Sequence, residues 1–183
     1  SEPCWKDIEE AKANKEEGNG YFMKKEYSEA VDCYSRAIAL CPDDDRYTEQ
    51  KAIFYGNRSA CYAALKAFDL VIEDCSQALI LNDKYVKVLL RRAAALEQDE
   101  KYDEAVLDLK RVEELEPGKH PKVKVDLVRV SKLSEEKMEQ MKAEAMGKLK
   151  DLGNSILGNF GMSLDNFKMK QDPNTGSWSM SMG

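Results

Sequence analysis

Two series of apolar residues between Val86 and Pro117 recur at steps of three and four residues, which is the spacing of one buried helix face. Residues 97–103 between them show no such spacing, and Pro117 ends the second series because proline breaks a helix interior. The pattern therefore predicts a helical hairpin. The two series are Val88, Leu89, Ala93 and Leu96, then Ala105, Leu109, Val112 and Leu115.

The same hairpin pattern occurs twice more upstream. A shift of 34 residues places Val86 over Ala52, and a further shift of 41 residues reaches Ala11. Seven extra residues, around 45–50, precede the second copy, and we expect them to lengthen the helix that follows. Because no hairpin alone can cover its apolar face, we expect the three to stack into a solenoid. The predicted helices are 9–24 with 27–40, 46–66 with 68–81, and 85–98 with 101–115.

This period, with small residues where helices cross, an aromatic residue in the first helix and a terminal proline, resembles the tetratricopeptide repeat family. The first copy is the most similar, through GlyAsnGlyTyrPhe at 18–22 and AlaValAspCysTyrSerArgAlaIle at 30–38. The second copy departs from the pattern with Ser59 at the small first-helix position. The resemblance implies that the first helix of each pair lines a hollow binding side. It places the repeats at 11–44, 52–85 and 86–117, after a lead-in at 1–10.

Residues 118–152 are predicted to form a capping helix that continues as an extension. Pro121 is suited to the first position of a helix, and an apolar stripe follows it. The outer half of this helix could pair with another helix or a partner, or fold back on its own repeats. The stripe consists of Val123, Leu127, Val130, Leu133, Met138, Met141, Ala145, Leu149, Leu152 and Ile156.

Residues 153–183 form a tail rich in glycine, asparagine and methionine, too rich in the first two for a regular helix. Apolar and polar residues alternate on both sides of AspProAsnThrGly at 172–176, which predicts a β-hairpin. The predicted fold class is therefore all-α. It comprises a three-repeat tetratricopeptide solenoid, a long C-terminal capping helix and a small C-terminal hairpin-like tail.

Composition excludes several functional classes. The net charge of −6 argues against a nucleic-acid partner, and the chain of 183 residues contains no apolar run long enough for a membrane span. There is no signal-like start and no initiator Met, so we expect a piece of a longer polypeptide. His120, the only histidine, falls in a turn where we expect it to be solvated, and no catalytic site, metal or cofactor is expected.

The five cysteines form no CxxC pair and no metal-binding spacing. Cys33, Cys61 and Cys75 fall at or beside packing positions of the repeats, where a small, soft side chain suits a helix crossing. We therefore expect reduced, structural thiols in a cytoplasmic protein.

Polar residues on the three first helices form a candidate binding site. Lys15 and Asn19 are four residues apart on the first helix, as are Lys87 and Arg91 on the third, so each pair shares a helix face. Together with Asn57 on the second, they resemble the dicarboxylate clamp of chaperone-binding tetratricopeptide domains. Alternatively, these cations decorate exposed helix faces, as others do in this charge-rich chain.

The clamp resemblance implies a role for each residue. Lys15, Asn19 and Asn57 would hold the terminal carboxylate of a peptide, Lys87 the adjoining acidic side chain, and Arg91 a group further back. The same resemblance implies that the side chain next to the peptide end would enter an apolar pocket. The residues expected to wall this pocket are Phe22 and Ala60.

The implied partner is the acidic carboxyl-terminal tail of the Hsp70 or Hsp90 chaperones, which ends in GluGluValAsp, and the implied role is that of a co-chaperone adaptor. Two alternatives stay open. The hollow side could bind an internal segment of a signalling partner, with no need for a free chain end. The apolar residues between Ile156 and Met182 could hold unfolded client segments, because methionine-rich surfaces adapt to varied partners.

Overall fold

The computed structural model describes residues 5–171 and 178–182. It divides into two compact units, Ser1–Ser134 and Glu135–Gly183. The described residues form α-helices, two short 3-10 turns and one two-stranded sheet. The helices are α1 Trp5–Met23, α2 Tyr27–Leu40, α3 Thr48–Ala64, α4 Phe68–Leu81, α5 Val86–Gln98, α6 Tyr102–Leu115 and α7 Pro121–Gly158.

Three helical hairpins make up most of the first unit, and the turn inside each is closed in the same way. Lys25, Lys66 and Glu100 follow the first helix of each hairpin with φ of 64°, 59° and 56°. The next residue donates its N–H to the carbonyl five residues earlier, over distances of 3.0, 2.9 and 2.8 Å. This left-handed ending satisfies carbonyls at the helix C-terminus. It also lets the second helix of each pair pack back against the first.

The second helices bury faces with the spacing that the sequence predicts. In α2 the buried side chains are Ala30, Cys33, Tyr34 and Ala37, and α4 and α6 bury the equivalent positions.

The predicted lead-in at 1–10 is wrong for its described part, because α1 already begins at Trp5. Ile8, only 4% exposed, packs in a cluster with Ala37 and Cys41 of α2 and Phe54 of α3, which gives the added first turn of α1 a buried contact.

A nearly buried arginine–aspartate pair recurs in the second and third repeats. Arg58 donates two hydrogen bonds to Asp74, at 2.7 and 2.8 Å, and a third to Ser35 of the preceding repeat, at 2.9 Å. Asp74 is only 2% exposed, so the pair joins three helices beneath the surface. In the first repeat, which has no described helix before it to join, the equivalent positions hold Glu17 and Cys33. The third repeat has the same contacts through Arg92, Asp108 and Ser76.

The start of α7 caps the third repeat, as predicted. Val123 and Val130 are 3% and 0% exposed and belong to the same apolar cluster as Leu109 and Val112. Proline at the first helical position supplies a suitable φ and lacks an N–H that would have no partner there. The cap is also tied by side chains to α5 and α6. These ties are Arg129 to Glu97 and Ser134 to Asp103.

The predicted end of the helix at residue 152 is wrong, because α7 continues to Gly158. In the second unit the chain beyond the helix folds back on its last turns. Asn154 Oδ1 accepts hydrogen bonds from Ser163 Oγ at 3.0 Å and from the Leu164 N–H at 2.6 Å. A Cβ on Gly153 would lie 2.5 Å from Leu164 Cδ1. Glycine and asparagine are weak helix formers. Here Gly153 permits the close approach of Leu164, and the Asn154 side chain accepts the hydrogen bonds, so both residues offset their weak propensity.

A β-hairpin follows, as the alternating pattern predicts. Strand β1 (Phe167–Gln171) pairs antiparallel with β2 (Trp178–Met182). The register sets Phe167 opposite Met182 and Met169 opposite Met180, so that apolar residues pair with each other across the strands. The predicted turn at 172–176 lies outside the described residues.

Helix α7 carries an exposed apolar stripe in its second-unit part. Met138, Met141, Leu149, Leu152 and Ile156 are each between 57% and 61% exposed. Within the described residues, no helix combines the length and apolar character needed to cross a bilayer.

The four described cysteines are free and buried, in agreement with the structural role expected for three of them. Burial raises the pKa of the Cys61 thiol to about 11 and also raises the pKa of Cys75, so both thiols are neutral at physiological pH. His120 differs from its expected solvated state. Its Nε2 lies 2.6 Å from Glu116 Oε2, and the side chain is 32% exposed.

Candidate functional site

The candidate site is built on α1, α3 and α5, the first helices of the three repeats. Each is separated from the next by one antiparallel helix, so all three run in the same direction. Gly56 brings α3 and α5 close together, since a Cβ there would lie 3.1 Å from the Tyr85 ring and 3.2 Å from Val88. We call the surface formed by α1, α3 and α5 the first-helix face.

Asn19 and Asn57 meet on the first-helix face. Asn57 Nδ2 lies 3.4 Å from Asn19 Oδ1, which also accepts a 2.7 Å hydrogen bond from the Tyr34 hydroxyl. Tyr34 is 2% exposed, and burial raises its pKa, so the hydroxyl remains a proton donor. The Asn19 amide oxygen is therefore occupied from within the protein. Its NH₂ group is left to donate in the other direction.

Arg91 reaches across from α5 to α3, where it bonds to Gly56, the residue before Asn57. Its Nη1 donates to the Gly56 carbonyl at 2.7 Å and to Ser59 Oγ at 3.0 Å, which fixes the guanidinium against α3 next to Asn57. Ser59 is fully buried, and its hydroxyl donates to the same Gly56 carbonyl at 2.7 Å. One face of the guanidinium group thus has a structural role. In the described part of the chain, no hydrogen bond engages its Nε or Nη2.

Lys15 and Lys87 stand one helical turn before Asn19 and Arg91, about 6 Å along their helix axes. The Lys15 side chain is 25% exposed, and its Nζ lies 2.5 Å from Glu16 Oε1. Lys87 is exposed and has no ion-pair partner among residues 5–171 and 178–182. Because α1 and α5 run in the same direction, both lysines extend from the same end of the row formed by the asparagines and the arginine.

The two residues expected to form an apolar pocket lie near the asparagine pair. Phe22 is half-buried and stacks edge to face on Tyr27, with ring centroids 5.5 Å apart. It packs against the cluster that contains Tyr34 and Cys61. Ala60, also half-buried, precedes Cys61 on α3. Apolar surface is therefore available one turn beyond Asn19.

Three contributors to the site were missed by the sequence analysis. Tyr34 and Ser59 position Asn19 and Arg91, and Glu16 contacts the Lys15 ammonium group. Ser59 could have been recognised from the sequence, because it replaces the small residue that the repeat pattern has at this buried position. A buried hydroxyl needs a hydrogen-bond partner. Tyr34 gave no signal of this kind, since an aromatic residue at its position already fits the repeat.

The arrangement is suited to binding anions. Three cationic side chains and two amides lie on a limited stretch of three parallel helices. The chain as a whole, in contrast, has a net charge of −6. Charge-assisted hydrogen bonds from such groups to carboxylates are among the stronger polar contacts in proteins. This group of donors is local, in contrast to the broad basic face that a nucleic acid requires.

Comparisons with known proteins agree with the repeat architecture. A sequence model of the tetratricopeptide repeat matches residues 11–44. The human mitochondrial import receptor subunit TOM70 is 39% identical over 105 residues, which cover 57% of this chain and 17% of that protein. The chain therefore spans only about a sixth of the length of this relative.

Two solved structures are similar over nearly their whole length. The first tetratricopeptide domain of Spaghetti (RPAP3), bound to the HSP90 peptide SRMEEVD, is 34% identical with a TM-score of 0.60, covering 68% of this chain and 93% of that one. The second such domain of human RPAP3, in complex with the HSP70 peptide SGPTIEEVD, is 29% identical with a TM-score of 0.59. That match covers 68% of this chain and 98% of the other.

Proposed function

Because the chain belongs to the tetratricopeptide repeat family, we propose that its first-helix face binds the acidic carboxyl-terminal tail of Hsp70 or Hsp90 chaperones. The protein would then act as a co-chaperone adaptor. One observation carries the proposal: Asn57 contacts Asn19, Arg91 is bonded to Gly56 immediately before Asn57, and Lys15 and Lys87 lie one turn to the same side.

A peptide that ends in aspartate presents two carboxylates close together, and the row offers donors to both. In the proposed complex Lys15, Asn19 and Asn57 bind the terminal carboxylate, because they converge where α1 meets α3. Lys87 binds the side-chain carboxylate of the last residue, and Arg91 bonds to the peptide further back. A free chain end is then required, since an amide in its place would lose the charge-assisted bonds.

In the proposed complex, apolar contacts add to these hydrogen bonds and ion pairs. Phe22 and Ala60 would border a pocket for the side chain that precedes the terminal residue, beside the cluster of Tyr34 and Cys61. Two similar structures support the ligand class, because both are of domains bound to peptides that end in GluGluValAsp.

The experiment that tests the proposal is a calorimetric titration with the peptide SRMEEVD and with its carboxyl-amidated twin. We expect the free acid to bind at least tenfold more tightly, because hydrogen bonds to charged groups contribute about 1.5–3 kcal/mol each. We also expect affinity to fall as salt rises, because the attraction between the exposed cations and the peptide is screened. Equal binding of the two peptides would point to a groove for internal segments instead.

A second candidate function rests on the exposed apolar stripe of α7. Side chains such as Met138, Met141 and Leu149 are each 61% exposed, and flexible methionines adapt to varied apolar partners. We infer that the second unit holds unfolded client segments. Replacing Met141 and Leu149 with Gln should weaken the suppression of client aggregation while leaving peptide binding intact. Unchanged suppression would contradict this function.

A further inference from the structure

The Glu16 carboxylate occupies donors that the proposed ligand would use. Its Oε1 lies 2.5 Å from Lys15 Nζ, and its Oε2 accepts a 3.1 Å hydrogen bond from Asn19 Nδ2. One side-chain carboxylate thus bridges an ammonium group and an amide of the candidate site. The terminal carboxylate of a bound peptide is expected to form the same kind of bridge.

The geometry of Asn19 makes this overlap specific. The Asn19 oxygen is occupied by Tyr34 and Asn57, so its NH₂ group is the part available to an incoming anion. Glu16 engages this group. The pKa of Glu16 is lowered, first by its hydrogen bond to Lys15 and then by that to Asn19, so the residue is ionised at neutral pH.

Glu16 is held loosely enough to be displaced. Its side chain is 66% exposed, and exposed ion pairs contribute little to stability because water competes for both charges. Displacement leaves the carboxylate hydrated beside the site, where its charge still opposes the approach of an anionic ligand. Both effects weaken ligand binding without preventing it.

We propose that Glu16 is an internal substitute for the ligand carboxylate, which fills part of the clamp when no peptide is bound and lowers its affinity for free chain ends. This inference rests on the proposed function of the first-helix face. It identifies Glu16, which is not one of the five clamp residues, as a further residue that sets ligand affinity. A ligand with a second carboxylate, which can also engage Lys87, compensates for the competition better than one with a single carboxylate.

The test is Glu16→Ala, with Glu17→Ala as its matched control. Both glutamates are exposed on α1 and both substitutions change the net charge equally, but Glu17 lies 3.8 Å from Arg36 rather than in the clamp. We expect Glu16→Ala to bind SRMEEVD about two- to fivefold more tightly than the wild type, the range that an exposed ion pair allows. Glu17→Ala should leave the affinity unchanged. The affinity for the amidated peptide should not increase in either variant.

Each outcome of this titration is decisive. If the wild type prefers the free acid but Glu16→Ala binds no more tightly, the inference fails while the proposed function stands. Equal gains for both variants would also overturn it, because a general charge effect would explain them. If neither the wild type nor Glu16→Ala distinguishes the free acid from the amide, both the proposed function and the inference fail. Binding that is detectable only for Glu16→Ala would support the inference.

Discussion

Lys87 and Arg91 lie four residues apart on α5, but their surroundings differ. Arg91 holds α3 through the Gly56 carbonyl and Ser59, so its replacement would disturb helix packing as well as any ligand contact. Lys87 is exposed and has no ion-pair partner in the described ranges. A substitution at Lys87 therefore reports on binding alone.

We expect Lys87→Glu to reduce the affinity for SRMEEVD at least tenfold, because it removes one cation and places a negative charge against the acidic end of the peptide. Helical content, measured by far-UV circular dichroism, should not change. The matched control is Lys110→Glu on α6, an exposed lysine away from the first-helix face, which should bind within twofold of the wild type. Retained binding by Lys87→Glu would place the peptide on another surface.

The residue types of the candidate site could be predicted from the sequence, but not its internal contacts. The four-residue spacing of Lys15 with Asn19 fixes a shared helix face in any straight helix. The bond from Tyr34 to Asn19 depends instead on how α2 packs on α1, which no local pattern encodes. The anchoring of Arg91 by Ser59 likewise follows from the approach of α3 to α5.

The limits of the helices within the repeats were easier to predict than the outer ends of α1 and α7. The predicted helices 27–40 and 68–81 coincide with α2 and α4, because turn residues and apolar spacing both mark their limits. The seven extra residues form a 3-10 turn, Asp45–Tyr47, and lengthen α3 to 17 residues against 13 in α5, as expected. The end of α7 was misplaced because the packing of Leu164 against Gly153 offsets the weak helix propensity of glycine.

Two glycines of α1 should respond to alanine in opposite ways. A Cβ on buried Gly18 would lie 2.9 Å from the Tyr34 ring, so Gly18→Ala should destabilise the protein by about 1–3 kcal/mol through overpacking. Nothing lies within 4 Å of a Cβ on Gly20, and Gly20→Ala should stabilise the helix by about 0.5–1 kcal/mol. Urea denaturation followed by circular dichroism measures both. Equal effects of the two substitutions would refute the close packing of α1 on α2.

The first unit contains its own apolar core. Val123 and Val130 of α7 belong to the cluster that contains Val112, whereas the second-unit part of α7 exposes its apolar residues. The first unit should therefore fold without the second, provided that the capping turns of α7 are kept.

Two truncations test this division. A chain that ends at Ser134 keeps both buried valines and should retain cooperative thermal unfolding and bind SRMEEVD within twofold of the full chain. A chain that ends at Lys119 exposes Leu109 and Val112, and its melting temperature should fall well below that of the longer truncation. The division into units is contradicted if the two truncated chains are equally stable, or if the longer one fails to fold.

In the proposed complex a few local donors of an acidic protein bind the free end of a peptide, and Lys15 is the cation assigned to the terminal carboxylate. The most direct measurement is a double-mutant cycle that combines Lys15→Met with amidation of SRMEEVD, with Lys12→Met on the same helix as control. We predict that Lys15→Met weakens binding of the free acid at least fivefold but hardly affects the amide, and that Lys12→Met shows no such difference. Equal losses of affinity for the two peptides in Lys15→Met would contradict the account.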